Sequence, residues 1–489
     1  MYSGSGFSDW EIGDITVIIH DGVYHLFHLI IPNHDYIAHA VSTDGISWKR
    51  VNNALFVGHP GEWDDDMLWT MHVVEKDAKF EMYYTGLQRK DRGIISRIGF
   101  AHSNDLINWT KDRKSIYPIQ PKGIFYETHE QNPRKWLSFR DPFKFEHKGE
   151  DYLLMAARSI HGPISRRGCV GMVRITNDTM QLMPPLLHPM VYDDVECPCV
   201  FKLNGSFYLL GSIREDIKVR YWFAPDFLGE YHSFHEDVLL PPGNYAARTV
   251  QDGPHLLVYN FFYAFGQINA LRVLPPPKQL STDDRGRLVL KSYYRWEQMI
   301  TQTFTQQEFS ECKSLFTNPT GFFVDTPGKL TCGSRSGYEI FCFQKPSNSF
   351  VWEGVLTVEG MGKLGLVCDM DEEGNGYFMS FDITHGQTTI RSWGFNPKDN
   401  KQNFVFNDIQ TALFNMTSEA SVHFKLIRYG NYIELSVNGV VKLTLMDYAF
   451  SGTGIGVYTA SSVIALQHSL LHALPDPPEE YASPEESQP

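Results

Sequence analysis

Alternating apolar and polar residues, interrupted by Gly, Asn and Asp, run through most of the chain and mark short strands joined by tight turns. One hairpin pattern returns at intervals. It reads Asp21-Gly22-Val23-Tyr24-His25-Leu26-Phe27, then Asp77-Ala78-Lys79-Phe80-Glu81-Met82-Tyr83-Tyr84, then Lys148-Gly149-Glu150-Asp151-Tyr152-Leu153-Leu154. It comes back as Asn204-Gly205-Ser206-Phe207-Tyr208-Leu209-Leu210, and more weakly as Asp252-Gly253-Pro254-His255-Leu256-Leu257-Val258. The spacing of roughly 50 to 70 residues suits four-stranded blades with long loops. A second repeat supports this: Ile37-Ala38-His39-Ala40-Val41-Ser42-Thr43-Asp44-Gly45-Ile46-Ser47-Trp48 matches the segment from Ile98 to Trp109 at a fixed offset of 61. Each copy predicts a strand, a Ser/Asp turn and a Trp that packs back.

No long stretch carries a convincing helical apolar period, so the expected class is all-β. Five hairpins over about 270 residues predict a five-bladed β-propeller over 1–290. The pattern breaks at Leu274-Pro275-Pro276-Pro277, and the mixed stretch 291–317 is expected to be a linker with a short helix. Alternating strands resume around 350–358, 363–369, 376–382, 422–429, 432–445 and 454–460, with Asn438-Gly439 as a hairpin turn. They predict a β-sandwich over 318–473. The tail 474–489, rich in Pro, Glu and Ser, is expected to be disordered.

Composition narrows the partners. A formal charge of −14 argues against nucleic acid and anionic membranes. Aromatic residues make up 14% of the chain, which suits sheets and offers flat apolar faces to a sugar ring. The seven cysteines are scattered, and Cys197-Pro198-Cys199 is too tight for a relaxed disulfide. Free thiols, no signal-like N-terminus and no long apolar run lead us to expect a cytoplasmic protein. No metal or cofactor motif is present; His25, His28, His34 and His39 lack zinc spacing and read as structural. Asp64-Asp65-Asp66 reads as a solvated acidic turn rather than a calcium loop.

A propeller carries its site in the central funnel, where each blade's inner strand offers a residue. Asp14 precedes the first predicted strand, Asp141 the third hairpin, and Glu196 opens the fourth. A carboxyl wedged among Val195, Cys197 and Val200 loses solvent, which raises its pKa toward that of a general acid. Trp10, Trp63, Trp69 and His72 are candidate sugar contacts from nearby loops.

Arg140-Asp141-Pro142 and Glu196-Cys197-Pro198, about 55 residues apart and after an N-terminal Asp, resemble the signature acids of glycoside hydrolase family 32, the invertases, levanases and inulinases. Tyr245-Ala246-Ala247 and Gly286-Arg287-Leu288, after Leu271-Arg272, extend the resemblance over nearly the whole chain. It implies a five-bladed propeller followed by a β-sandwich, acting on an oligo- or polysaccharide with furanosyl residues. By the resemblance Asp14 is the nucleophile, Glu196 the acid/base and Asp141 a stabiliser of the sugar hydroxyls, with Arg140 and Tyr245 expected to bind substrate beside them. The chain departs from the family at Gly13-Asp14-Ile15-Thr16-Val17, where the family has Asn-Asp-Pro-Asn-Gly. It departs again at Trp69-Thr70-Met71-His72, where the family has Trp-Ser-Gly-Ser. An inverting arabinofuranosidase or xylosidase on the same propeller, a non-catalytic sugar binder and a phosphorylase are the alternatives. The last would need a phosphate pocket among Arg158, Arg166, Arg167, Arg214 and Arg248.

Overall fold

The computed structural model describes residues 2–4, 11–112, 116–131, 134–176, 179–263, 272–309, 311–360, 362–395, 404–415 and 421–478. The chain divides into two units, with the boundary between Val289 and Leu290. Among the described residues no helix is long and apolar enough to cross a membrane.

The first unit is the five-bladed propeller: five antiparallel sheets follow one another along the chain, four of them four-stranded. The inner strands are Glu11–His20, Met67–Lys76, Phe139–His147, Glu196–Leu203 and Asn244–Asp252. Each packs on the next, and the fifth returns to the first, which closes the ring. The hairpins form where the turn pairs predict them. Asp21-Gly22, Asp77-Ala78, Lys148-Gly149 and Asn204-Gly205 all have positive φ at both residues, the geometry that matches strand twist in a two-residue loop. The 61-residue repeat is a conserved pair of turns within this one chain. Asp44 accepts the backbone N–H groups of Ile46 (2.8 Å) and Ser47 (2.6 Å), and Asp105 accepts those of Ile107 (2.9 Å) and Asn108 (2.7 Å).

One irregularity recurs in every blade. The inner strand carries one extra residue relative to its partner: between Ile12 and Ile15, Trp69 and Met71, Arg140 and Phe143, Glu196 and Cys199, and Tyr245 and Arg248. A bulge bends its strand and re-aims a side chain. Repeated at one level of five strands, it turns a ring of side chains into the funnel.

The second unit is a β-sandwich of an eight-stranded and a seven-stranded sheet. Trp352 is fully buried in it, and its indole N–H donates to Ser469 Oγ at 2.9 Å. The stretch expected as a linker is built into this unit instead. A 3₁₀ helix, Tyr294–Met299, buries Trp296 edge-on against Tyr429, with ring centroids 5.2 Å apart. Gln302–Thr305 then pairs with residues 470–473 at the end of Val463–Ala473, and Lys313–Ser314 pairs with Phe341 and Cys342. An apolar anchor of that size outweighs the polar composition around it. The start of the expected disordered tail is likewise held. Leu474 N donates to Ser349 O (2.9 Å), and Ser349 Oγ donates to Asp476 (2.8 Å). Residues 479–489 lie outside the described residues.

Trp63, a sequence candidate for sugar contact, packs inside the second blade. Its ring stacks on Tyr84 at 5.7 Å and lies over Gly86 and Gly99, where an added Cβ would come within 2.5 and 2.4 Å of the indole. The indole takes the space that two side chains would need. Gly99→Ala is therefore expected to cost about 1–3 kcal/mol through overpacking. A thermal melt of the variant measures it, and an unchanged midpoint would show that the indole is free to move.

Candidate active site

The motif triplets owe their form to the bulges. In Arg140-Asp141-Pro142, Glu196-Cys197-Pro198 and Tyr245-Ala246-Ala247 the central residue sits at φ of 61°, 50° and 53°, a region unfavourable to L-residues. Proline suits the third position in two of them because it brings no N–H to an interrupted ladder. The first residue of each triplet, Arg140, Glu196 or Tyr245, lines a cavity of about 720 Å³, together with Asp14, Asp141 and Trp69. The freed backbone N–H of each bulge is caught by a side chain. Asp141 N donates to Thr85 Oγ1 (3.1 Å), Cys197 N to Asp141 Oδ2 (3.0 Å) and Ala246 N to Ser212 Oγ (2.9 Å). Arg248, buried below, donates to the carbonyls of Cys197 (2.8 Å) and Pro198 (2.7 Å).

Glu196 is held from both sides. Arg140 Nη2 donates to Oε1 at 2.6 Å and the Tyr245 hydroxyl to Oε2 at 2.7 Å. Burial nevertheless dominates and, helped by the negative charges of Asp141 and Asp194, pushes the carboxyl up to about 7 against the pull of Arg140 and Tyr245. Arg140 cannot do more because it is shared. Its Nη1 donates to Ser138 Oγ (2.6 Å), and its Nη2 also reaches Asp194 (3.3 Å). Behind it, Arg134 contacts Asp194 (3.3 Å) and Asp193 (2.6 Å), while Glu127 takes Arg158 (3.0 Å) and Arg167 (2.7 Å).

Asp14 and Asp141 meet at Thr70, whose hydroxyl lies in hydrogen-bond contact with Asp14 and 2.9 Å from Asp141 Oδ1. A hydroxyl has one hydrogen to give, so the second carboxyl oxygen is satisfied when one of the two acids carries a proton. Burial first, and Asp141 second, raise the pKa of Asp14; Thr70, Arg248 and Arg272 oppose them. Oxygens of Asp14 and Asp141 and the sulfur of Cys197 all lie within 4.8 Å of one another.

The cavity thus gathers Asp14, Asp141, Glu196, Arg140, Trp69 and Tyr245. It does not gather His72, which is buried between blades, accepts Lys144 N at 3.0 Å and stacks on Phe143 at 4.1 Å. Its contacts with Lys144 and Phe143 of the third blade's inner strand hold it there. Asp64 and Asp65 are buried rather than solvated: Asp64 accepts the Tyr84 hydroxyl (2.9 Å), and Asp65 accepts the N–H groups of Gly61 (2.7 Å) and Arg89 (2.9 Å). Of the five arginines considered for a phosphate pocket, only Arg214 lines the cavity; Arg158 and Arg248 are buried in other contacts. Trp10 and Leu271 lie outside the described residues. Sequence reasoning missed Thr70 and Asp194, which were in plain view beside Trp69 and Glu196. It also missed Thr85, Arg272 and His34, whose roles depend on pairing between distant strands. All seven cysteines are unpaired.

A ring of bulged inner strands brings buried carboxyls from separate blades to one cavity of the propeller. Residues 14–239 match the model for the glycosyl hydrolases family 32 N-terminal domain, and the chain is a family 32-like protein. It is 29% identical over 210 residues to a sucrose-6-phosphate hydrolase of Bacillus subtilis, a match covering 40% of each chain. It is 23% identical over 217 residues to a fructan beta-fructosidase of Streptococcus mutans, covering 42% of this chain and 14% of that protein. The matches therefore span well under two thirds of these curated relatives. Among solved structures, a sucrose-6-phosphate hydrolase from Lactobacillus gasseri superposes with a TM-score of 0.67 at 16% identity, over 95% of this chain and 91% of that one. An exo-inulinase from Aspergillus awamori does so with a TM-score of 0.67 at 14% identity, over 95% and 96%. These likenesses establish the shared fold.

Two outcomes follow from the environment of Glu196. Tyr245→Phe removes a donor that favours the carboxylate, so the pKa of Glu196 should rise further. If Glu196 acts as an acid, the basic limb of kcat/KM then moves to higher pH; a downward shift would remove Glu196 from that limb. For stability, a carboxyl raised from 4.5 to about 7 weakens the folded state as pH rises through that window. Glu196→Gln should match wild type below about pH 4.5 and be more stable above about pH 7, by about 3 kcal/mol. Urea unfolding at both pH values tests the difference.

Proposed function

We propose that the chain is a glycoside hydrolase that cleaves fructosyl linkages in an oligo- or polysaccharide with retention of configuration. The observation that carries the reading is Glu196, a carboxyl with its pKa pushed up to about 7, lining the same cavity as Asp14 and Asp141. Acetal cleavage needs a proton for the leaving oxygen and a carboxylate against an oxocarbenium-like carbon. Glu196 gives its proton to the leaving-group oxygen as the glycosidic bond breaks. Asp14 in its ionised form attacks the anomeric carbon and forms a glycosyl ester. Glu196, now a carboxylate, takes a proton from water, which attacks that carbon and frees Asp14. Asp141 accepts hydrogen bonds from ring hydroxyls, and Arg140 and Tyr245 hold Glu196 in place. Trp69 supplies an apolar face for the ring. The sucrose-6-phosphate hydrolase and fructan beta-fructosidase relatives support a fructosyl substrate.

The test is release of fructose from sucrose, sucrose 6-phosphate, inulin and levan by wild type, Asp14→Asn and Glu196→Gln. Each variant should lose about 10²–10⁴-fold or more in kcat. Carrying the reaction out in methanol reads the stereochemistry: a methyl fructoside of unchanged configuration supports the ester intermediate. An inverted product would make Asp14 a general base, as in the arabinofuranosidase-type alternative. No release from any of these sugars, together with measurable sugar binding, would favour the non-catalytic reading.

A further inference from the structure

His34 belongs to the loop after the second strand of blade one, and it lines the cavity that holds Asp14. Its position is fixed three ways. Leu68 N donates to the His34 carbonyl at 2.9 Å, His34 Nδ1 lies 3.2 Å from Leu68 O, and the imidazole stacks on Trp69 at 4.4 Å with planes 14° apart. A carbonyl oxygen only accepts, so Nδ1 must carry the hydrogen. Burial holds the pKa of His34 below its ordinary value, so the ring is neutral and Nε2 keeps a free lone pair. Nε2 has no protein hydrogen-bond partner among the described residues.

The rest of the cavity makes this lone pair useful. Part of the cavity wall is apolar, with Ile31, Met67 and Leu87 among its residues. Arg214 and Arg272 can only donate. Ser96 donates to Leu137 O (2.9 Å) and Thr85 accepts Asp141 N (3.1 Å), so both hydroxyls are engaged with backbone. The carboxyls of Asp14, Asp141 and Glu196 accept in the same cavity, but a sugar hydroxyl turned away from them must still place its own hydrogen, and an unmatched buried donor is costly. Given the glycoside reading of the site, we infer that His34, locked in its Nδ1–H tautomer, is the acceptor for one hydroxyl of the glycosyl ring bound beside Asp14. It is thereby a specificity-determining residue of the pocket.

The experiment compares wild type, His34→Phe and His34→Gln on sucrose and on a set of singly deoxygenated fructosyl analogues. Phenylalanine keeps the stack on Trp69 and removes the acceptor; glutamine restores an acceptor oxygen. His34→Phe should lose about ten- to a hundredfold in kcat/KM on sucrose, with glutamine recovering part of it. One deoxy analogue should be handled equally by wild type and His34→Phe, because the hydroxyl in question is gone from it. Equal kcat/KM on sucrose for wild type and His34→Phe overturns the inference. So does a loss of the same size across the whole analogue set, which would mark His34 as structural. Should wild type turn over none of the sugars, the hydrolase reading fails separately, and calorimetric binding of fructose decides: weaker binding by His34→Phe supports the acceptor. Equal binding, or none by either protein, rejects it.

Discussion

The site depends on one repeated constraint: an inner strand with a residue too many frees a backbone N–H, and a buried N–H without a partner costs about 1–3 kcal/mol. The propeller meets that demand with side chains. Thr85, from the second blade, holds the bulge at Asp141; Asp141, from the third, holds the one at Cys197; Ser212, from the fourth, holds the one at Ala246. The residues that occupy these bulges sit at positive φ, and the hydrogen bonds make that strained geometry tolerable. Asp141 therefore has a structural duty before any chemical one. Its Oδ2 fixes the strand that carries Glu196, while its Oδ1 meets Thr70 and through it Asp14. The two ends of the proposed reaction share a single carboxylate as their spacer.

Much of this was legible in the sequence because local chemistry dictates it. The turn pairs specified the hairpins, their recurrence specified blades, and Arg-Asp-Pro and Glu-Cys-Pro marked the acids, although not the bulges that aim them. What escaped were contacts that no local pattern encodes. Trp63 and Trp69 look alike in sequence; only the glycines at positions 86 and 99, on neighbouring strands, reveal that Trp63 has a cleft of its own. His34 looked structural because it lacked metal-ligand spacing, yet its pairing with Leu68 brings it to the cavity wall. His72 stood close to Trp69 in sequence, yet it packs between blades against Phe143 and Lys144, contacts that the local pattern does not show. The supposed linker was misread for a related reason: its polar composition hid Trp296, whose burial ties the segment into the sandwich unit.

Two acids that share one arginine separate structural from chemical burial. Asp194 and Glu196 both contact Arg140, at 3.3 and 2.6 Å, and both are largely removed from solvent. For Asp194, burial raises the pKa, but Arg140, Arg134 and the Ser138 hydroxyl together bring it below its ordinary value. It is a charged partner in a network, and its ionisation stabilises the fold at neutral pH. For Glu196 the same burial wins, because Arg140 is divided and Asp141 and Asp194 repel a second negative charge. The nearer contact to the arginine thus belongs to the acid that holds its proton more tightly. Distance to one cation cannot explain that order; the sum of desolvation and neighbouring carboxylates does. An ion pair selected for stability would place Glu196 where Asp194 is. Holding a carboxyl near neutrality instead weakens the fold in the pH range where the proton is available for transfer. That arrangement matches what the proposed acid/base role of Glu196 requires, a group that gives its proton away and takes it back.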